Sequence, residues 1–277
     1  CEPYITANYR SMLQQGEELL DGIETIMGFL EIGRCIIAIE KINGRAVEHL
    51  RALLVKRGNP NILVKPLQST YPQGAEKVLI YQVTGRVLPM GKLPADVGTI
   101  VSNVESVIEI AVYMRSGQPL IYRSLTVDGD AIQRPCNLRV PVGTYVSDIV
   151  AFCGGYKGDP HKIMLGGPMM GIALATDKYP ITKQNNAILA FTESMSPQYE
   201  ATSCIQCGEC IRHCPMKLMP TLMKKAFDNK DNEELEDLCV SLCIECGNCT
   251  YGCPARIELT ESFRLAKTRL RNANVAK

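Results

Sequence analysis

Two short stretches of the chain carry the residues best suited to chemistry: "CIQCGECIRHCP", residues 204–215, and "CIECGNCTYGCP", residues 243–254. Both follow the pattern C-x2-C-x2-C-x3-C-P. Three thiolates at this spacing can bind one face of an iron–sulfur cubane, and the fourth, held at a proline turn, usually reaches a second cluster. The pattern therefore predicts two 4Fe-4S clusters, one held by Cys204, Cys207, Cys210 and Cys253 and the other by Cys243, Cys246, Cys249 and Cys214.

A pair of zinc sites is the alternative for these cysteines, because C-x2-C pairs also bind zinc. Zinc needs four tetrahedral thiolates, which gives no reason for a third cysteine at the same interval or for the proline. Gly208 and Gly247 instead let the backbone pass close to inorganic sulfide and offer N–H donors to it. The iron–sulfur interpretation is therefore preferred.

The remaining cysteines carry weaker signals. Cys239 lies four residues before Cys243, and Cys1, Cys35, Cys136 and Cys153 stand alone, so most of them are predicted to be small buried hydrophobes. In "LGGPMMG", residues 165–171, glycines around a proline indicate a tight turn with packed methionines in preference to a soft-metal site.

The composition limits the classes of protein to which this chain can belong. The chain has 277 residues, of which 46% are hydrophobic and 21% charged, and a net charge of +1 gives no reason to expect a nucleic acid as partner. No apolar run is long enough to suggest a membrane span, and the first residues lack the order of a signal peptide. The chain has thirteen cysteines, an odd number, and eight of them lie in the two motifs, which indicates a reducing compartment rather than a disulfide scaffold.

The elements that must position these residues fall into three regions. In the first, residues 1–118, helical periodicity is followed by alternating strands and helices, which predicts an α/β domain. Strands are expected at "CIIAIE", "ILVKPL" and "GTIVSNV" (residues 98–104), and helices are expected to end at Gly58 and Gly85.

The second region, residues 119–197, shows period-two segments with a hairpin signal at Asp128-Gly129, which predicts a small mixed β domain. The third, residues 198–277, is rich in helix formers around the two cysteine motifs and is expected to be an α-helical two-cluster domain of ferredoxin type.

Two clusters need a donor and an acceptor, and one-electron clusters paired with a two-electron donor generally require a flavin between them. The first region contains no G-x-G-x-x-G motif and no P-loop. Instead, "YPQGAEK" (residues 71–77) and "VSNVES" (residues 101–106) each lie where a predicted strand meets a helix, a place suited to binding phosphate. A turn followed by a helix cap is the alternative for Gly74 and Ser102.

Several motifs taken in order resemble one family. "CEPYITANYR", "YPQGAEKVLIYQVTGR", "LPADVGTIVSNVES", "LGGPMMG" and the two cysteine motifs look like the RnfC family, the C subunits of Rnf electron-transport complexes, over essentially the whole chain. That family is similar in turn to the FMN- and NADH-binding subunit of respiratory complex I. The resemblance implies a complex I flavoprotein-like α/β domain, then a β-grasp domain of the soluble-ligand-binding type, then the helical two-cluster domain.

The resemblance also implies roles for individual residues. Glu2, in "CEPY", matches the glutamate that faces the nicotinamide nucleotide. Tyr71, Gly74 and Glu76 match flavin-site positions, with Glu76 also a candidate to contact NADH, and Ser102, Asn103 and Ser106 match positions near the flavin phosphate or ring. The chain departs from complex I subunits at Ala75, where they carry a second glutamate, and at Ser102, where they carry asparagine. The glycine-rich flavin loop of the family normally lies just before the CEP segment, hence before Cys1.

The function implied is electron transfer from NADH through FMN and the two clusters to other Rnf subunits, and indirectly to ferredoxin, coupled to sodium or proton movement. The chain is expected to be a peripheral subunit on the cytoplasmic side of the membrane. Three alternatives stay open: a cobalamin-reducing flavoprotein of the same domain order, an iron–sulfur wiring module without its own flavin, and a docking protein whose clusters are structural.

Overall fold

The structure is a computed structural model, and it describes residues 1–275 of the chain. The chain divides into two compact units, Cys1–Ser196 and Pro197–Lys277. Within the described residues, no helix is both long enough and apolar enough to cross a membrane.

The first region has the predicted α/β character. It contains α1 (Ala7–Gln14), α2 (Gly16–Phe29), β1 (Cys35–Glu40), α3 (Gly44–Arg57), β2 (Ile62–Leu67), α4 (Glu76–Thr84) and α5 (Val104–Ser116). β1 and β2 pair in parallel, and buried side chains of the helices and strands, among them Leu20, Leu50 and Ile108, form one core. Each such side chain contributes roughly 1.5–3 kcal/mol when fully buried. Gly58 and Gly85 end α3 and α4 in the left-handed conformation, as predicted.

One predicted strand of this region is wrong. Residues 99–103 of the expected strand at 98–104 form no regular structure, and the side chain of Ile100 is 58% exposed. A run of β-branched residues forms a strand only where another strand can pair with it. Within the part of the chain that the structure describes, this segment pairs with none, and it leads instead into the capped start of α5.

The second region is a mixed sheet of five strands: β3 (Tyr122–Asp128), β4 (Cys136–Pro141), β5 (Lys162–Leu165), β6 (Ile172–Leu174) and β7 (Ala187–Phe191). The strand order is β4-β3-β7-β5-β6, with β3 and β7 parallel, and α6 (Val146–Phe152) contributes Ile149 and Val150 to the core. This is the order of a β-grasp fold. The hairpin predicted at Asp128-Gly129 is confirmed as the antiparallel pair β3–β4, although its connection is longer than a two-residue turn.

The start of the chain packs against this second region. The hydroxyl of Thr126, on β3, accepts the backbone N–H groups of Thr6 and Ala7, both at 2.9 Å. Tyr4 packs edge to face against Phe191, with ring centroids 5.2 Å apart. The segment that carries Glu2 is therefore held against the β-grasp sheet.

The third region is helical, as predicted. It contains α7 (Glu209–Arg212), α8 (Pro220–Asp228), α9 (Asn232–Asp237), α10 (Asn248–Tyr251) and α11 (Leu259–Val275). Met223, Leu235 and Phe263 are almost completely buried and form a core that also includes Cys210 and Cys249. The cysteine motifs are thus part of the packing of this region.

Two glycines of α2 provide a test of the packing in the first region. A methyl group at Gly22 would lie 2.1 Å from the carbonyl oxygen of Val107 on α5, whereas one at Gly28 would meet nothing within 4 Å. Gly22→Ala should therefore lower the free energy of unfolding by about 1–3 kcal/mol. Gly28→Ala should raise it by about 0.5–1 kcal/mol, because alanine is the better helix former. Urea unfolding followed by circular dichroism measures both, and effects of the same sign would contradict the close approach of α2 and α5.

Candidate functional site

The two cysteine motifs adopt the same local backbone conformation. Gln206 and Glu245, the second residues after the first cysteine of each motif, both have positive φ, 56° and 54°. Their backbone N–H groups donate to the sulfurs of Cys204 and Cys243, each at 3.4 Å. Gly208 and Gly247 follow, also with positive φ, and start the short helices α7 and α10. The backbone of each motif therefore curves so that N–H groups point at cysteine sulfur.

Two cavities lie beside these motifs, and we name each after the cysteine that the other motif contributes. The Cys214 cavity is lined by Cys214, Cys243, Cys246 and Cys249, together with apolar side chains that include Leu218, Met223 and Phe263. The Cys253 cavity is lined by Cys204, Cys207, Cys210 and Cys253, together with Ile205, Ile257 and Leu259. Each predicted set of four cysteines thus lines a single cavity, three from one motif and the fourth from the other.

The exposure of the cysteines differs between the cavities. Cys246 and Cys249 of the Cys214 cavity are buried, with 8% and 9% of their surface exposed, whereas Cys204 and Cys207 of the Cys253 cavity are exposed. Burial raises the pKa of Cys243 to about 11 and also raises the pKa values of Cys210, Cys246 and Cys249. Thiols with such pKa values carry their protons at neutral pH, so any metal that binds these sulfurs must displace the protons.

The donor set fits an iron–sulfur cluster. Four sulfurs, an apolar lining and backbone N–H groups directed at sulfur are what such clusters require. A further N–H group, that of Leu218, donates to the sulfur of Cys214 at 3.4 Å. Among residues 1–275, no three His, Cys, Asp or Glu side chains converge closely enough to hold a single metal ion.

In the first region, Glu2, Tyr71 and Gly74 lie close together. The Tyr71 hydroxyl is 3.5 Å from a carboxylate oxygen of Glu2, and a methyl group at Gly74 would lie 3.4 Å from the Cβ atom of Cys1. The Glu2 carboxylate also accepts the backbone N–H groups of Met169 and Met170, at 3.1 and 2.9 Å. The turn predicted at residues 165–171 is confirmed, and its backbone binds this carboxylate. The prediction that its methionines are packed is wrong for Met170, which is 44% exposed.

The other four predicted flavin-site residues lie at helix starts. Glu76 is exposed in the first turn of α4. Asn103 is the N-cap of α5, where its side-chain oxygen accepts the N–H of Glu105 at 3.0 Å, and Ser102 and Ser106 are exposed on either side of it. Such helix starts offer unpaired N–H groups to an anion, so the residues are of the kind that holds the phosphate of a flavin nucleotide.

Two buried polar groups near these positions, Glu105 and Gln73, were not predicted from the sequence. Glu105 is only 3% exposed and its carboxylate accepts a hydrogen bond from the hydroxyl of Ser11. The sequence could have indicated this burial, because Glu105 lies on the apolar face of α5, three residues before Ile108. Gln73, in the loop before α4, is 5% exposed, and its side-chain nitrogen has no hydrogen-bond partner among the described residues. A buried N–H donor without a partner is costly, which fits a loop that binds a ligand.

The prediction that most cysteines outside the two motifs are buried is wrong, because Cys35, Cys136 and Cys239 are only partly buried. Cys136 and Cys153, which stand alone in the sequence, are neighbours in the structure. Their sulfur atoms lie 3.6 Å apart, one at the start of β4 and the other just after α6. Burial and the neighbouring Cys136 thiol raise the pKa of Cys153 to about 12. Of the cysteines outside the two motifs, Cys153 is the one that the structure buries, and Cys1 is exposed. Residues that are distant in sequence became neighbours through the β-grasp fold, for which the sequence has no local signal.

An open groove of about 690 Å³ runs along the β1–β2 pair. Its lining combines the cationic side chains of Arg34, Arg51 and Lys65 with apolar residues such as Val55 and Leu63. None of the predicted flavin-site residues lines it. The groove is therefore separate from the predicted nucleotide-binding positions.

Comparison with known protein families divides the chain into three successive matches. Residues 1–112 match the Nuo51 FMN-binding domain, residues 124–173 the SLBB domain and residues 203–258 the 4Fe-4S dicluster domain. The order agrees with the expected flavoprotein-like, β-grasp and two-cluster domains.

Curated relatives are similar to this chain over most of its length. The C subunit of the proton-translocating ferredoxin:NAD(+) oxidoreductase complex of Clostridium ljungdahlii is 42% identical over 80% of this chain and 48% of its own length. The C subunit of the ion-translocating oxidoreductase complex of Rhodobacter capsulatus is 40% identical over 98% of this chain and 52% of its own length. The C subunit of the Na(+)-translocating ferredoxin:NAD(+) oxidoreductase complex of Acetobacterium woodii is 38% identical over 79% of this chain and 49% of its own length. The chain thus spans about half the length of the relatives it matches.

Solved structures share the fold. An NAD+-reducing NiFe hydrogenase in its H2-reduced state superposes with a TM-score of 0.62 at 16% identity, over 98% of this chain and 48% of the hydrogenase chain. The air-oxidised state gives a TM-score of 0.60 at 18% identity, over 88% of this chain and 43% of that chain. With the domain order and the curated relatives, these comparisons show that the chain belongs to the RnfC family, the C subunits of Rnf-type ion-translocating oxidoreductase complexes.

Proposed function

We propose that the chain transfers electrons between NADH, FMN and two 4Fe-4S clusters as part of an Rnf-type ion-translocating complex. The observation that carries the proposal is the pair of cavities, each lined by four cysteines drawn from both motifs. The relatives whose names describe ferredoxin:NAD(+) oxidoreductase complexes support it.

The two cavities support the assignment of the cluster ligands. Cys204, Cys207, Cys210 and Cys253 would hold one cluster, and Cys243, Cys246, Cys249 and Cys214 the other. When bound, such clusters carry electrons one at a time, and a flavin links them to a two-electron donor. The chain's own contribution is to supply the thiolates, to direct the N–H groups of Gln206, Leu218 and Glu245 at sulfur, and to exclude water with apolar side chains.

The nucleotide-binding part of the proposal rests on the first region. Glu2, Tyr71 and Gly74, which lie together, and Glu76, at the start of α4, would orient NADH and the flavin ring. Ser102, Asn103 and Ser106, at the start of α5, would lie near the flavin phosphate or ring. The hydrogen bonds from Met169 and Met170 hold the Glu2 carboxylate in place, and they would tie its orientation to the β-grasp region.

We further propose three domains, residues 1–118, 119–197 and 198–277, of which the first binds FMN and NADH. The chain would act as a peripheral subunit on the cytoplasmic side of the membrane, with other Rnf subunits as electron partners and ferredoxin as an indirect one. The names of the relatives include proton-translocating and Na(+)-translocating complexes, so either ion is compatible with this assignment.

NADH is expected to reduce both the flavin and the clusters. The full-length protein with its clusters assembled, supplied with FMN and mixed with NADH without oxygen, should lose the visible absorption of both flavin and clusters. The reason is that the flavin accepts electrons in pairs and passes them on singly. Absorption spectra recorded after mixing measure the change. Clusters that dithionite bleaches but NADH with FMN does not would contradict the proposed NADH site and leave the chain as an iron–sulfur wiring module.

Each motif is expected to contribute its fourth cysteine to the cluster of the other motif. Cys253→Ser and Cys204→Ser should abolish the same cluster, and Cys214→Ser and Cys243→Ser the other, with loss of roughly half of the bound iron in each case. Iron analysis and electron paramagnetic resonance of the reduced protein measure this. Cys239→Ser, which changes a cysteine outside both sets, is the matched control and should keep both clusters. Loss of one signal by both Cys253→Ser and Cys243→Ser would show that each motif holds its own cluster.

A further inference from the structure

The two cysteine motifs differ at a position where their backbones are alike. Gln206 and Glu245 share the left-handed conformation and the same N–H contact to the first cysteine sulfur. The first is a neutral amide and the second a carboxylate. The Cys214 cavity therefore has a negative charge in its ligand loop at a place where the Cys253 cavity has none.

That carboxylate is engaged by two cations of α11. Arg264 Nε lies 3.1 Å from one carboxylate oxygen of Glu245, and Lys267 Nζ contacts the other. Lys267 also donates to the carbonyl oxygen of Cys243 at 3.0 Å, so its charge lies next to a cluster ligand. The side chains of Glu245 and Lys267 are 24% and 25% exposed. Solvent and salt screen such half-buried charges less than fully exposed ones.

Arg264, the other cation that contacts Glu245, has a second anionic partner. Arg264 makes a second ion pair, at 3.1 Å, with Glu261 of the same helix, which offsets part of its charge. Lys267 is therefore the cation that contacts both the ligand loop and the carboxylate. At the Cys253 cavity the cation that lines the wall is Lys224, which is 2.5 Å from Asp228 one helical turn away.

A charge at this position acts on reduction by Coulomb's law. Each one-electron reduction leaves a cluster site one unit more negative, without forming or breaking a bond. A nearby cation stabilises that added charge and raises the reduction potential, whereas a nearby anion lowers it. The effect falls with distance, so it should be larger for the nearer cluster.

We propose that Glu245 and Lys267 act as a pair of opposite charges that sets the reduction potential of the cluster held by Cys214, Cys243, Cys246 and Cys249. The inference rests on the proposed function, since it requires those four cysteines to hold a cluster. Lys267 raises the potential, and Glu245 limits the increase. Both are positioning residues that act through the cluster and its ligand loop.

The test is a redox titration of the protein with both clusters assembled, followed by electron paramagnetic resonance. Lys267→Gln should shift one of the two cluster signals to lower potential, and Glu245→Gln should shift the same signal to higher potential. The double variant should titrate close to the unmodified protein. Glu245→Gln installs the residue that the first motif carries naturally at this position, so it is expected to fold.

Two matched variants complete the experiment. Lys267→Arg keeps the positive charge and should leave the potential near its original value. Lys224→Gln removes a lysine at the Cys253 cavity and should shift only the other signal.

Unchanged potentials in both single variants, or shifts in the same direction in both, would overturn the inference while leaving the clusters in place. Absence of both clusters from the unmodified protein would overturn the proposed function, and this inference with it. A misfolded variant would lose the signal, whereas the opposite shifts expected here require intact clusters.

Discussion

The arrangement of the third region depends on one constraint: four cysteines must line each cavity, three from one motif and the fourth from the other. Cys214 and Cys253 each follow a short helix and reach the cavity of the opposite motif. This exchange couples two segments that are almost 40 residues apart, roughly the separation of Cys214 from Cys253. Because Cys210 and Cys249 belong to the same core as Met223 and Phe263, the packing that forms this core also places these two thiols.

The burial of these thiols has a further consequence for assembly. The pKa of Cys243 near 11 means that the protein without metal holds this sulfur as a neutral thiol. Cluster binding must then release protons, and the N–H groups directed at sulfur and the cation of Lys267 favour the resulting thiolates. Burial therefore favours neutral thiols in the protein without metal, whereas the N–H groups and Lys267 favour the charged sulfur ligands that a cluster requires.

The first unit is tied together in a different way. Thr126 accepts two backbone N–H groups from the start of α1, and Glu2 binds the turn at residues 165–171. The β-grasp sheet thus orients the very segment whose glutamate is proposed to face the nucleotide. In this architecture the β-grasp region supports the proposed nucleotide site, rather than being only a separate module beside it.

Local patterns in the sequence were sufficient to predict the strands at β1 and β2, the glycine ends of α3 and α4 and the type of each region, because these depend on neighbours a few residues apart. The same reasoning failed at residues 98–104, where β-branched residues have no strand to pair with in the described structure. It also gave no indication that Cys136 and Cys153 are neighbours, because the β-grasp fold brings them together. The sequence by itself determined the number and type of the cysteine motifs and the family resemblance. Only the tertiary structure decided that Glu2 binds Met169 and Met170, and that Lys267 reaches Glu245 and Cys243. The physical reason is that these contacts join residues 22 to 168 positions apart, and the packing of whole helices and strands, not periodicity along the chain, brings them within hydrogen-bonding distance.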